Sequence, residues 1–291
     1  MSASTHDGCG DLFLSDRERA QIDMMVVAMA DMIEDGDLLA EGIGTFLPTA
    51  AYMLAKHTHA PNCTSLCPNG NTLMPGTRTL TLGSDEFDTV PRASVWLDYV
   101  QINLMYMPVI MLGGHPRWTE FMRPAQIDPV GATNNVCIGP HDRPRVRLPG
   151  AAGIPDASTA ARRFYYYVPR HTRQVFVPRL DFCSGAGAGE AAGHPRSITV
   201  VTNLCVLTSG PSGRLRVTQL HPGVSATDVA ANTGFELDWS GSIATSRGPT
   251  AAEADWLDRR IDPDRLRFLE ALSGSRRRAR LRALATEGAT P

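Results

Sequence analysis

Lysine is almost absent from the sequence: among 28 basic residues, Lys56 is the only one that is not arginine. An enzyme that forms a Schiff base or uses a lysine nucleophile would therefore have to use Lys56. An excess of charge of one sign is also missing, since 30 acidic residues leave a net charge of −2. This balance argues against a protein that coats nucleic acid, and we expect no nucleic-acid partner.

Cysteine is sparse as well, with 6 in 291 residues, which is too few for a disulfide scaffold. Cys63 and Cys67 could begin a metal site, but no second Cys/His pair follows at ligand spacing, so we expect buried thiols and no metal. The most apolar stretch, 95–114, is interrupted by polar residues and a proline, and residues 1–10 do not resemble a signal peptide. We expect a cytoplasmic protein without a membrane span.

The residues that are present suit a globular α/β domain, because 43% are hydrophobic and 20% charged. Ser15 and Glu18 form a capping-box pattern before apolar residues at helical spacing. A short apolar strand at 38–40 then leads into Gly42-Ile43-Gly44 and a second helix opened by Pro48. This order predicts α/β architecture with a backbone turn at the carboxyl end of a strand, where such sheets bind ligands.

Further apolar runs predict the rest of the sheet. We expect a helix over 95–105 and strands at 108–112, 164–168, 174–177, 198–202 and 215–218. From Asp255 onward the sequence becomes rich in arginine, which is typical of a surface helix with a frayed end. The expected organisation is an N-terminal extension (1–14), an α/β domain (15–254) and an arginine-rich C-terminal helix and tail (255–291).

Local catalytic motifs are missing. Neither Gly-x-Ser-x-Gly nor His-Glu-x-x-His occurs, and Gly42-x-Gly44 lacks the third glycine of a dinucleotide fingerprint. Glycine-rich turns after apolar strands remain, at 42–44, 113–114 and 150–153. Their backbone amides could hold an oxyanion or a phosphate, although tight turns without a ligand explain the same residues.

Several stretches in a fixed order carry a family resemblance. They are Asp35-Gly-Asp-Leu-Leu-Ala-Glu-Gly-Ile-Gly44, His57-Thr-His-Ala-Pro-Asn62, Ala125-Gln-Ile-Asp-Pro-Val-Gly131, Leu148-Pro-Gly-Ala-Ala-Gly153 and Leu220-His-Pro-Gly-Val224. From about residue 20 to 237 the chain resembles the β subunit of class I CoA-transferases. Within that family it is most similar to the β subunit of the steroid ring-opening CoA hydrolase, especially over 173–224. The resemblance implies a three-layer α/β/α sandwich of the sugar-phosphate isomerase type.

The resemblance also implies partners and a reaction. Family members pair with an α subunit as αβ or α2β2, place the active site between the subunits, and take coenzyme A as part of the substrate without a permanently bound cofactor. In true transferases a β-subunit Glu carries CoA as a glutamyl thioester. Here its position is Pro68, which has no nucleophile. This departure favours hydrolytic cleavage of a carbon–carbon bond next to a carbonyl, with a base from the α subunit.

No residue of the chain is assigned as catalytic, but a set of backbone and side-chain donors is predicted to bind the substrate or its oxyanion. The set comprises Gly42, Ile43, Gly44, Asn69, Gly70, Gln126, Asn134, Gly150 and Gly153. Two alternatives stay open. The enzyme could be a CoA-transferase that uses an acid from the partner subunit, or the chain could be a non-catalytic scaffold subunit.

Overall fold

The computed structural model describes residues 14–42, 44–67, 72–82, 90–98, 100–101, 118–161, 163–191 and 194–287. Ile43, Pro68, Asn69 and Gly70, and the strand predicted at 108–112, lie outside these residues.

A large mixed sheet forms the centre of the fold. Its parallel core runs in the spatial order β2 (Thr64–Cys67), β1 (Leu38–Ala40), β5 (Trp118–Met122), β10 (Arg163–Val168) and β12 (His194–Thr202). The parallel pairing places the carboxyl ends of these five strands at one edge of the sheet. That edge positions the candidate site.

Antiparallel and short strands extend the sheet on both sides. Beyond β2 lie β3 (Thr72–Met74) and β4 (Val95–Trp96), and beyond β12 lie β13 (Cys205–Ser209), β14 (Leu215–Leu220) and β15 (Ala244–Thr245), with β11 (Gly189–Ala191) also pairing with β12. Two small hairpins stand apart: β6 (Gln126–Ile127) with β7 (Thr133–Asn134), and β8 (Cys137–Ile138) with β9 (Val146–Arg147).

Helices cover both faces of the sheet. They are α1 (Asp16–Ala30), α2 (Phe46–Thr58), α3 (Ile154–Ala160), α4 (Ala226–Asn232), α5 (Ala251–Trp256) and α6 (Gly274–Glu287), with irregular helical turns at Leu257–Ile261 and Leu266–Glu270. None of the helices in the described ranges has both the length and the apolar character needed to cross a membrane.

Strand β10 shows how the layers are built. Its successive side chains point to opposite faces, so Tyr165 and Tyr167 join the core under α1 and α2. Phe164 and Tyr166 join a second core that includes Ile154 of α3 and residues of α4. The sheet is therefore buried on both faces, which confirms the three-layer α/β/α prediction.

The capping box predicted at the start of α1 is present. Glu18 donates its backbone N–H to Ser15 Oγ at 3.3 Å, and Ser15 N–H donates to Glu18 Oε2 at 2.7 Å. These two bonds satisfy two amides that a helix start otherwise leaves without partners.

Two predicted elements differ from the structure. The strand expected at 174–177 is a turn closed on Thr172 O by the amides of Val175 and Phe176, and Phe176 forms only an isolated bridge with Ile127. The helix expected over 95–105 is wrong at its start, because β4 pairs there with β3. In both places contacts distant in sequence decide the backbone conformation.

Candidate functional site

A cleft of about 450 Å³ opens at the carboxyl ends of β5 and β10. Its described lining residues are Arg123, Pro124, Ala125, Asn135, Leu148, Pro149, Gly150, Val168, Pro169, Arg170, Thr172, Gln174 and Val175. Open α/β sheets bind ligands at this edge. Since no carboxylate or thiol belongs to this described lining, its charged groups are two guanidinium cations.

Arg123 follows β5 directly, and Glu270 binds its guanidinium group. Its Nη1 lies 3.2 Å from Glu270 Oε2, and its Nη2 donates to Glu270 O at 3.3 Å. Glu270 also accepts from Tyr167 Oη at 2.7 Å and from Leu47 N–H at 2.8 Å. The Glu270 side chain is 2% exposed and that of Arg123 32%, so the carboxylate is buried while the guanidinium still faces the cleft.

Arg170 follows β10 by two residues and is exposed. It forms no ion pair with any residue that the structure describes. Partial burial lowers the pKa of Arg170, and the positive charges of Arg123 and Arg277 lower it further. Arg170 therefore lies near two other arginines, and the charge of Glu270 faces Arg123 and Arg277.

The opposite wall of the cleft is the turn that precedes α3. Gly150 adopts φ +116°, a conformation that favours glycine, and its N–H donates to Asn135 O at 3.1 Å. Asn135 Nδ2 in turn donates to Arg123 O at 3.0 Å. Gly153 caps the start of α3 and its carbonyl accepts from Ala157 N–H. Gly150 thus lines the cleft, whereas Gly153 lies behind it.

Gln126 and Asn134 are brought together, but beside the cleft and not in its lining. Asn134 Nδ2 donates to Gln126 Oε1 at 2.7 Å and to Cys137 O at 2.6 Å, while Gln126 Nε2 donates to Asp181 Oδ2 at 2.9 Å. Both side chains are buried. In this arrangement their polar atoms hold the β6–β7 hairpin against the segment around Asp181.

Gly42 and Gly44 lie at the same sheet edge, after β1. Gly42 O accepts from Thr45 Oγ1 at 2.9 Å, and Gly44 has φ +62°. Neither belongs to the described lining of the cleft. Next to them, Glu41 forms a buried ion pair with Arg78. The single lysine, Lys56, donates to Met74 O at 3.3 Å, and burial lowers its pKa to about 8.

Cys63 and Cys67 are the cysteines at which a metal centre could begin. Both are buried, and Cys63 Sγ donates to Glu34 O at 3.2 Å. Burial raises the pKa of the Cys63 thiol, which favours the protonated form that metals do not bind. Within the part of the chain that the structure describes, no three His, Cys, Asp or Glu side chains cluster as metal ligands would.

Sequence reasoning missed Arg123, Arg170, Asn135 and Glu270. A signal existed for the two arginines, because each comes within two residues of the end of an apolar strand. Glu270 gave no local signal, since its contact with Arg123 spans 147 residues of sequence.

The coenzyme A transferase family profile matches residues 22–232. One subunit of 3-oxoadipate CoA-transferase from Pseudomonas knackmussii is 29% identical over 81% of this chain and 90% of its own. The cholesterol ring-cleaving hydrolase IpdB subunit from Rhodococcus jostii is 34% identical over 50% of this chain and 60% of its own length.

Solved structures match over most of the chain. The decarboxylase AibA/AibB superposes with a TM-score of 0.73 at 28% identity, covering 85% of this chain and 96% of the other. Glutaconate coenzyme A-transferase from Acidaminococcus fermentans, with a TM-score of 0.76 at 22% identity, covers 87% and 98% and supports the fold alone. The profile spans more than half of the sequence, so the chain belongs to the coenzyme A transferase family.

Proposed function

We propose that this chain is the β subunit of a heteromeric enzyme, αβ or α2β2, that acts on an acyl-CoA by hydrolytic carbon–carbon cleavage next to a carbonyl. Its relatives include proteins that are named as single subunits of a CoA-transferase and of a ring-cleaving hydrolase. The matched structures include the two-component AibA/AibB and IpdAB. These names support an α-type partner. A hydrolase and a decarboxylase stand among these relatives beside transferases.

The observation that carries the proposal is the chemistry of the cleft. Its described lining offers cations and amide groups but no carboxylate or thiol that could attack an acyl-CoA. Such a surface suits the stabilisation of negative charge and leaves nucleophile activation to the partner subunit. At the sequence level, Pro68 at the family's Glu position points the same way.

The proposed reaction begins when a base of the partner removes a proton from water. The water oxygen bonds to the carbon of a ketone group in the acyl chain. The π electron pair of that C=O bond moves to its oxygen and forms an oxyanion. As the carbonyl re-forms, the carbon–carbon bond breaks, and its electron pair passes to the carbon next to the thioester. That carbon then takes the proton from the base. Arg123 and Arg170 supply the positive charge of the cleft in which the acyl-CoA is held during these steps.

The test is to co-express the chain with a candidate α-type subunit, purify the complex, and incubate it with acyl-CoA and acetate. We expect water-dependent cleavage products by mass spectrometry, no exchange of CoA onto acetate, and no borohydride-trappable glutamyl thioester on this chain. Arg123→Gln should reduce turnover about 10- to 100-fold, while the exposed Arg278→Gln serves as the matched control. A trapped thioester on this chain would overturn the hydrolytic proposal.

Two further outcomes identify the alternatives. Rapid CoA exchange with the thioester trapped on the partner would identify a CoA-transferase that uses the partner's acid. Full turnover by Arg123→Gln and by Arg170→Gln, in complexes that assemble normally, would identify a scaffold subunit.

A further inference from the structure

The cleft has an excess of positive charge that the described residues do not balance. Arg123 pairs with Glu270, but Arg170 has no carboxylate partner among the described residues. Arg277, on the first turn of α6, adds a third cation close to Arg170 and Glu270. A guanidinium without a carboxylate partner, beside a second arginine and the amide and hydroxyl side chains of Gln174 and Thr172, suits an anionic group.

Arg123 is fixed in place before any ligand arrives. Glu270 binds the guanidinium and is itself held by Tyr167 Oη and by the N–H of Leu47, in the first turn of α2. Two hydrogen bonds thus orient the carboxylate, and the carboxylate orients the arginine. A side chain held in this way loses little conformational freedom when it binds an anion.

The group that orients Arg123 comes from outside the part of the chain that defines the family. The family match ends at residue 232, whereas Glu270 and Arg277 belong to the segment that follows. A second, smaller cleft of about 270 Å³ shares Pro169 and Arg170 with the first and is lined by Arg276 and Ser273 of the same segment. The C-terminal segment therefore forms part of the wall that an extended ligand would meet.

We infer that Arg123 and Arg170 form a subsite for an anionic group of the acyl-CoA ligand, and that Glu270 is the positioning residue for Arg123. The inference rests on the proposed function, which supplies the acyl-CoA. The anion is a carboxylate at the far end of the acyl chain or the 3′-phosphate of CoA. Either group accepts the paired N–H donors of a guanidinium.

The test measures the affinity of the assembled enzyme for four ligands by calorimetry. Glutaryl-CoA and valeryl-CoA have acyl chains of equal length that differ in the terminal carboxylate, and each is also prepared without the 3′-phosphate of CoA. We expect Arg123→Gln and Arg170→Gln to weaken binding about 10- to 100-fold, only for ligands that carry the recognised anion. Arg278→Gln, an exposed arginine on α6, is the control.

Glu270→Gln keeps the size of the side chain and removes its charge. If Glu270 is a positioning residue, this variant should reduce the ratio of the affinities for anionic and neutral ligands. A purely structural defect would instead lower all four affinities equally. If this variant fails to assemble, Arg170→Gln still tests the subsite, because Arg170 lies on the surface.

The outcomes separate the sources of the anion. Loss of the preference for glutaryl-CoA over valeryl-CoA in the arginine variants would identify the acyl carboxylate. Loss of the preference for CoA over dephospho-CoA ligands would identify the phosphate. Equal affinities in variants and unmodified enzyme would overturn the subsite and leave the proposed function intact. Failure of the unmodified enzyme to bind any of the four would overturn both.

Discussion

At the scale of single residues, His171 is the clearest buried titratable group next to the cleft. Its Nδ1 lies 3.1 Å from Thr202 Oγ1 and its Nε2 lies 3.0 Å from Thr233 Oγ1, while its ring stacks on Phe176. Burial lowers its pKa from 6.5 to about 3. The histidine is therefore neutral in the folded chain and joins the cleft turn at Thr172 to β12.

This depressed pKa predicts a loss of stability in acid. Between about pH 6.5 and pH 3 the unfolded chain binds a proton at His171 that the folded chain does not. The stability contributed by the neutral, buried His171 is thus fully present above pH 6.5. The free energy of unfolding falls as pH falls through this window, by up to about 1.4 kcal/mol per pH unit. His171→Gln should show a shallower pH dependence in urea unfolding.

His141→Gln is the matched control, because His141 is exposed. Its unfolding free energy, measured against pH, is compared with those of the unmodified chain and of His171→Gln. A His171→Gln curve parallel to both would contradict the assignment of a buried neutral histidine. His221, whose pKa burial also lowers, keeps some acid sensitivity in every variant.

At the scale of elements, the segment after β10 packs closely against β7 and α3 at Gly185. This residue exchanges backbone hydrogen bonds with Thr133 of β7, at 3.0 and 3.1 Å. A Cβ here would lie 2.4 Å from Thr133 Oγ1 and 2.7 Å from Ile154 Cγ2. Glycine is required because β7 and α3 leave no room for a side chain.

Gly185→Ala should therefore lower the free energy of unfolding by about 1–3 kcal/mol, since neither neighbour can move without disturbing the packing. Gly248→Ala is the control, because no atom lies within 4 Å of its Cβ position and its change should stay within about 0.5 kcal/mol. Urea titrations of both variants measure the difference. Equal unfolding free energies of the two variants would mean that β7 and the segment around Gly185 do not lie as close together as in the structure.

The same elements show what the sequence could predict. The strands at 38–40 and 164–168 were predictable because each is a short apolar run that the sheet buries, and the strand at 215–218 because apolar and polar residues alternate along it. The run at 174–177 looks similar, but the amides of Val175 and Phe176 close onto Thr172 O. Ile127 of the neighbouring hairpin also bonds to this turn, at 2.7 Å to Val175 O and at 2.9 Å from Val177 N–H, and no local pattern encodes those bonds.

The candidate site was predictable in part. Its place at the carboxyl ends of parallel strands followed from the α/β order, and Gly150 was named from its turn. Gln126 and Asn134 carried the family resemblance, yet their side chains bond to each other and to Asp181. Their roles toward a ligand stay predictions, because an amide pattern does not reveal which partner its donors meet.

At the scale of the whole molecule, the stretch Leu266–Glu270 packs into the core, whereas most of α6 is exposed. Leu266, Phe268 and Leu269 are buried in the core under α1 and α2. Arg267, itself 2% exposed at its side chain, binds Asp23 of α1 at 2.7 Å and Asp262 at 3.0 Å. This ion cluster fastens to α1 the segment that supplies Glu270 to the cleft.

Arg267→Met should destabilise the chain by about 3–5 kcal/mol, because it leaves the buried carboxylate of Asp262 and the partly buried carboxylate of Asp23 without their cation. Burial already raises the pKa of Asp262 to about 6, so part of the loss is relieved when that group takes a proton near neutral pH. Hydrogen exchange should accelerate most in 257–287, the segment that the cluster attaches. Arg259→Met removes an exposed pair with Asp255 and should change stability by less than about 1 kcal/mol. Uniform exchange in the Arg267 variant would show that the segment is held by its apolar contacts alone.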